Sequence, residues 1–196
     1  MLTPLEALRA AVAAEDEEGA EAAIEAIRPA DEPVLLAGLA MADNDLAWWS
    51  LYALSRCGTA AGVPALVARL QDDDAAIRSA AALALAHIQR RDNSIAPVVA
   101  APICALLTDE VGYVRQTAAD ALSICGDAAV PALAAALQGE HEGARARAMM
   151  ALRKIGTLEA AKIMYFYLND PNYLVQTVAY EGLDEMGLLE NILLKP

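Results

Sequence analysis

One short phrase returns four times along this chain, and it constrains the fold more than any other feature. It reads Ile77-Arg78 with Ala81, Ala82, Ala84, Leu85 and Ile88, then Val114-Arg115 with Ala118, Ala119, Ala121, Leu122, Cys125 and Gly126. It returns as Ala144-Arg145 with Ala148, Met149, Ala151, Leu152, Ile155 and Gly156, and as Val175-Gln176 with Ala179, Tyr180, Gly182, Leu183, Met186 and Gly187. A weaker copy precedes them, with Leu46-Ala47 in the same slot and Ser50, Leu51, Ala53, Leu54, Cys57 and Gly58 following in register. Counted from the Arg slot, small or apolar residues fall at +3, +4, +6, +7 and +10, the spacing of one helical face. The slots lie 31, 37, 30 and 31 residues apart. That period leaves room for two short helices and two turns, and the longer step holds an insertion around Arg90–Ser94.

Composition agrees. Among 196 residues there are 46 alanines and nine aromatics, and Ala is the best helix former and a poor strand former. Proline, well tolerated in a first helical turn, marks the entry to a first helix at Pro33, Pro64, Pro102 and Pro131, with Lys162 in that position in the last copy. Acidic turns at Asp72-Asp73-Asp74, Asp109-Glu110 and Asn169–Asn172 suit the positive N-terminal end of each second helix. Gly58, Gly126, Gly156 and Gly187 close the second helices, where a left-handed cap is cheap. Residues 1–30 read as one further pair, opened by Thr3-Pro4. The expectation is an all-α chain forming a right-handed α-solenoid of six helical hairpins in one domain. It comprises an acidic capping hairpin (1–30), repeats at 31–58, 59–89, 96–126, 127–156 and 157–187, and a C-terminal cap or tail (188–196).

The phrase V-R-x-x-A-A-x-A-L-x-x-I-G resembles HEAT repeats, specifically the short HEAT-like repeats named after phycobilisome lyases. The resemblance covers roughly residues 30–187, most strongly 58–156. It implies a fold more than a function, because that family includes bilin lyase subunits, phycobilisome-degradation factors and scaffolds. It also implies that Arg78, Arg115 and Arg145 form a structural ladder pairing with acids in turns, among them Asp72 to Asp74, Asp109 and Glu142. The second helices would line a concave surface, so positions +1, +2, +5, +8 and +9 would face a groove. That groove would begin aromatic at Trp48, Trp49 and Tyr52, pass Arg56 and small polar residues, turn basic at Arg147, Arg153 and Lys154 beside Met150, and end acidic.

Charge removes several functions. The formal net charge is −13, and residues 1–46 hold eleven acids against Arg9 and Arg28, which argues against a phosphate-backbone binder. The opening Met-Leu-Thr-Pro lacks a secretory n-region and h-region. The stretch Ile95–Leu107 is interrupted by prolines and too short to span a bilayer, so no membrane partner is expected. Cys57, Cys104 and Cys125 show no metal or disulfide spacing, and a cytoplasmic location is the expectation.

No catalytic constellation, metal set or cofactor motif is present in the sequence. His87 has no second ligand at helical spacing and reads as a groove residue. Two adjacent tryptophans point about 100° apart on a helix, so Trp48 and Trp49 cannot both be core, and which one is buried stays open. The C-terminal part concentrates aromatics in Tyr165, Phe166, Tyr167, Tyr173 and Tyr180. The apolar tail Leu188, Leu189, Ile192, Leu193 and Leu194 either covers the end of the stack or docks on a second copy as a homodimer contact. The preferred expectation is a non-enzymatic scaffold that binds another protein through Trp48, Trp49, Tyr52, Arg56, His87, Arg147, Met150, Arg153 and Lys154. The alternative is a bilin lyase or bilin-handling subunit.

Overall fold

The structure, a computed structural model, describes residues 2–41 and 43–189. Those residues are helical with no strand among them, and they form six hairpins joined by short turns. Two compact units meet in sequence between Ile95 and Ala96. The first holds α1 (Pro4–Ala13), α2 (Glu17–Ala26), α3 (Glu32–Leu39), α4 (Asn44–Cys57), α5 (Val63–Arg69) and α6 (Ala75–Arg91). The second holds α7 (Ala96–Ala105), α8 (Gly112–Cys125), α9 (Val130–Leu137), α10 (Glu142–Ile155), α11 (Leu158–Phe166) and α12 (Tyr173–Glu185). Ile192, Leu193 and Leu194 of the expected cap or tail lie outside the described residues.

Local sequence explains most boundaries. Thr3 and Glu6 form a reciprocal capping box at α1, and Pro33, Pro64 and Pro131 occupy the first turns of α3, α5 and α9. Two expected entry markers lie inside helices instead. The insertion lengthens α6 to 17 residues against 14 for α4, α8 and α10, and α7 already starts at Ala96-Pro97. Pro102 therefore sits within α7, where it forfeits the bond to the Val98 carbonyl. The helix continues only to Ala105 before a tighter turn at Leu106–Thr108. Likewise α11 opens on the Thr157 cap, whose hydroxyl accepts from the Ala160 N–H, so Lys162 lies mid-helix. With α7 divided in this way, the longest apolar helical run is Gly112–Leu137, long and apolar enough by composition to cross a bilayer. A turn at Gly126–Ala129 divides it into α8 and α9, and Val114, Ala118, Leu122, Val130 and Leu133 are buried.

In each unit the second helices pack side by side, α4 on α6 and α8 on α10 on α12, while α1 packs against α4. The repeated slots form the core: Leu51, Leu54, Ala81, Leu85, Ala118, Leu122, Ala148, Leu152 and Ala179 are buried. Gly126, Gly156 and Gly187 have φ of 62°, 61° and 67°. Gly58 does not follow them, with φ −61° and ψ 152°. Glycine is needed there for proximity, since a Cβ would stand 2.6 Å from the Leu54 carbonyl oxygen and 2.8 Å from Ile88.

The turns carry a second periodicity. Six residues before the slot, Asp72, Asp109 and Asp170 each accept the backbone N–H two residues on, at 3.0, 2.8 and 2.9 Å. Asp74 and Asn172 cap α6 and α12, but Val111 begins α8 without a side-chain cap. The ladder arginines fasten these turns largely through backbone. Arg78 donates to the carbonyls of Asp72 and Asp73, and Arg115 to those of Asp109 and Glu110. Arg145 pairs with Asp170 of the following hairpin rather than with Glu142 of its own turn. Glu142 is exposed whereas the Asp170 side chain is only 6% exposed. In the first unit Glu32 is buried. Its carboxylate accepts from the Thr59 N–H and hydroxyl at 2.8 and 2.6 Å, joining hairpin two to hairpin three.

Removing one partner of a buried ion pair strands the other. Asp170→Ala is expected to lower the unfolding free energy by about 3 kcal/mol, read as a lower urea midpoint at unchanged m. Glu142→Ala should stay within about 0.5 kcal/mol of the parent.

Candidate functional site

The site residues expected from the sequence fall on two faces, one in each unit. In the first unit, the second-helix face of α4 presents a cluster of three aromatics. Trp48 stacks on Tyr52 one turn later, with ring centroids 5.8 Å apart and planes 16° apart. Trp49 meets both rings edge-on, at 5.0 Å from Trp48 and 5.9 Å from Tyr52. Trp48 and Tyr52 are each 37% exposed, whereas Trp49 is half-buried. Trp49 walls a cavity of about 260 Å³ together with Val12, Glu15, Asp16, Glu17 and Asp45. The packing of α1 on α4 thus turns Trp49 toward the first hairpin and leaves Trp48 and Tyr52 to solvent. Four of the six residues lining that cavity are acidic and none is basic. Arg56 is exposed one turn beyond Tyr52.

His87 lies on α6, half-buried, and its pKa is lowered chiefly by burial and further by the cations Arg91 and Arg90. Its imidazole is therefore neutral at pH 7. Among the described residues no group of three or more His, Cys, Asp or Glu side chains is placed to hold a metal ion. The three thiols are free, and burial pushes Cys104 to about 11 and Cys125 to about 12. Such thiols are poor nucleophiles. Four positions expected to face a groove are instead enclosed, Ser79 and Ala86 of α6, Ala146 of α10 and Val178 of α12.

In the second unit, α10 carries Arg147, Met150, Arg153 and Lys154 against α8 and α12. Met150, Arg153 and Lys154 line a groove of about 360 Å³ with Gln116, Ala119, Ala151 and Glu185. The expected basic stretch is not an open one. Arg153 holds both Glu181 and Glu185, its Nε donating to Glu185 at 2.9 Å, and Lys154 pairs with Asp120. The hydrogen bond from Arg153 lowers the Glu185 pKa. Arg147 donates to the Gly143 carbonyl at 3.1 Å. Burial, and then the neighbouring Arg115, lower its pKa. The result is a belt of ion pairs crossing α8, α10 and α12. The sequence places the cations correctly on one face, but pairing partners lie 28 to 34 residues away. Only a register carried across neighbouring repeats brings those partners into view.

Hairpins stacked through matching slots define an α-helical repeat protein of the α-solenoid class. The sequence pattern of HEAT repeats matches residues 32–123 and 100–184, and the chain belongs to that family. Solved structures share the fold. YibA of E. coli aligns with a TM-score of 0.61 and 16% identity over 95% of this chain and 72% of that one. An engineered protein aligns at 0.55 and 20% identity over 95% and 97%. A designed armadillo repeat protein in complex with the peptide (KR)4 aligns at 0.51 and 16% identity over 95% and 100%. No curated protein sequence matches the chain.

The two tryptophans should separate in a stability measurement. Trp49→Ala is expected to cost about 2 kcal/mol, below the range for a fully buried aromatic. Trp48→Ala should cost under about 1 kcal/mol, both read from urea unfolding.

Proposed function

We propose that this HEAT repeat protein is a non-enzymatic scaffold whose first unit binds another protein by a positively charged segment laid along the second-helix face of α4. The observation that carries the reading is the exposed Trp48–Tyr52 stack, placed beside a slot whose lining acids are Glu15, Asp16, Glu17 and Asp45. Aromatic faces attract Lys and Arg side chains, and carboxylates nearby add to that attraction and to the rate of encounter. Trp and Tyr are also the residues most often found as interface anchors. In the second unit, taken by itself, the groove over α10 offers Met150 as an apolar contact, and Asp120, Glu181 and Glu185 surround its cations. The peptide (KR)4 held by a designed armadillo repeat protein of similar fold supplies a probe of the right chemistry.

The phycobilisome-lyase-type reading, in which the chain handles a linear tetrapyrrole, is weaker. The pairs that would hold the pigment and its propionates are Trp49 with Arg56 and Met150 with Arg147, yet Trp49 is turned into the slot beside the first hairpin and Arg147 donates to the Gly143 carbonyl.

Titrating a labelled (KR)4 peptide by fluorescence anisotropy tests the proposal. Binding is expected at low salt, weakening with added salt because the Debye length shrinks. Trp48→Ala combined with Tyr52→Ala should weaken it about tenfold, the size of one cation–π anchor. Binding that ignores both substitutions, or that a Glu-rich peptide matches, overturns the assignment.

A further inference from the structure

The register of the turns sets a partner position for each ladder arginine of the second unit. Arg145 crosses to Asp170, six places before the next slot. Asp72 and Asp109 hold that place in their own turns, but in the turn that follows Arg115 it is taken by Gly139. Arg115 therefore meets a hairpin with no carboxylate at the ladder position. It donates instead to the Asp109 and Glu110 carbonyls at 2.7 and 2.9 Å.

The fold brings a second cation to this place. The turn at Leu106–Thr108, which leads into Asp109, packs against α10, so the guanidinium clamped on that turn lies on the side of α10. Arg147 reaches back along α10 to the Gly143 carbonyl at 3.1 Å, and Arg115 is close enough to lower its pKa. The Arg147 Nε is enclosed without a hydrogen-bond partner. Among the described residues no carboxylate pairs with either guanidinium, whereas Arg69, Arg145, Arg153 and Lys154 each hold at least one. A carbonyl occupies an N–H but leaves the charge uncancelled. Like charges held close repel, and such juxtapositions recur at ligand sites.

The first turn of α10 adds two further features. Gly143 lies between Arg147 and His141, where a Cβ would stand 3.3 Å from Nη1 of the first and 3.2 Å from Cε1 of the second. The exposed imidazole accepts the Ala144 N–H on Nδ1 at 3.1 Å, which leaves Nε2, bonded to the same Cε1, to carry the proton. Both groups gather at the positive end of a 14-residue helix.

We propose that Arg115 and Arg147, with His141 beside them, bind a single phosphate group. Charge selects this ligand. A phosphate monoester carries about two negative charges, which match two guanidiniums, and its oxygens suit the fork of each; a carboxylate would cancel one. The net charge of −13 repels long polyanions, so an isolated phosphate fits better than a nucleic acid backbone. The group is either inorganic phosphate or the phosphorylated side chain of another protein, and the same oxygens serve in both. The site belongs to the second unit and does not depend on the basic segment assigned to α4.

Calorimetric titration of the full chain with sodium phosphate, against sodium chloride at matched ionic strength, tests the site. One phosphate is expected to bind with a Kd on the order of 1 mM. Arg147→Gln should weaken it about tenfold, the worth of one charge-assisted hydrogen bond. Gly139→Asp supplies the carboxylate that the other turns carry, and should abolish phosphate binding with the helical circular dichroism unchanged. Gly139 lies outside the left-handed region, and a Cβ there meets nothing nearer than the Ala136 carbonyl oxygen at 3.2 Å, so the aspartate is tolerated. A short glycine-rich phosphoserine peptide then separates the sources. Binding tighter than inorganic phosphate, absent from the unphosphorylated peptide, assigns the site to a phosphorylated partner; binding no tighter assigns it to the free ion. Phosphate heats no larger than those of chloride overturn the proposal, as does binding that both Arg147→Gln and Gly139→Asp leave unchanged.

Discussion

Close approach of neighbouring helices is the constraint on which the rest of this structure depends. Helix axes come together only as far as the side chains between them allow, and the slots that face one another are filled mainly by alanine. Ala81, Ala82 and Ala84 on α6, Ala118 and Ala121 on α8, and Ala148 and Ala151 on α10 are all but fully buried. Gly182 extends the rule on α12, where a Cβ would stand 2.6 Å from the Met164 sulfur. Leu at +7, with Ile, Cys or Met at +10, then fills the space around these seams, and the rest of each second helix is left for polar and aromatic chemistry.

That division explains how the surface is organised. A helix that spends its small residues on packing has few positions left over, and those positions recur with the repeat. Residues 31 places apart therefore arrive side by side, which is how Arg153 meets Glu181 and Glu185 and Lys154 meets Asp120. The aromatic cluster of α4 departs from this pattern because its neighbour is α1, the helix that supplies Val12 to the cavity beside Trp49.

The helical register was legible from the chain because it is a periodic apolar signal repeated five times, and single departures do not erase such a signal. Helix starts were less legible. Pro97 and Pro102 both carry the mark of a first turn, and only the length of the insertion decides that the earlier one opens α7. The glycine at 58 looked like its counterparts at 126, 156 and 187, yet its reason is the proximity of Ile88, a contact no local pattern encodes. The candidate site was legible as a set of residue types and not as a state of charge. Sequence puts Arg147, Arg153 and Lys154 on one helix, but what becomes of their charge depends on residues one repeat away. The Asp six places before the slot was available as a pattern, and aligning the turns as well as the helices would have found it.

The pairing of Arg145 with Asp170 matters for a reason unrelated to its strength. Methyl groups along an alanine seam leave much of the choice of register to other contacts, and sliding the last hairpin along its neighbour by a single turn, about 5.4 Å, would part Arg145 from Asp170. The same slip would part Arg153 from Glu181 and Glu185. Alanines let the hairpins close in, and paired charges help decide where along the rail they stop.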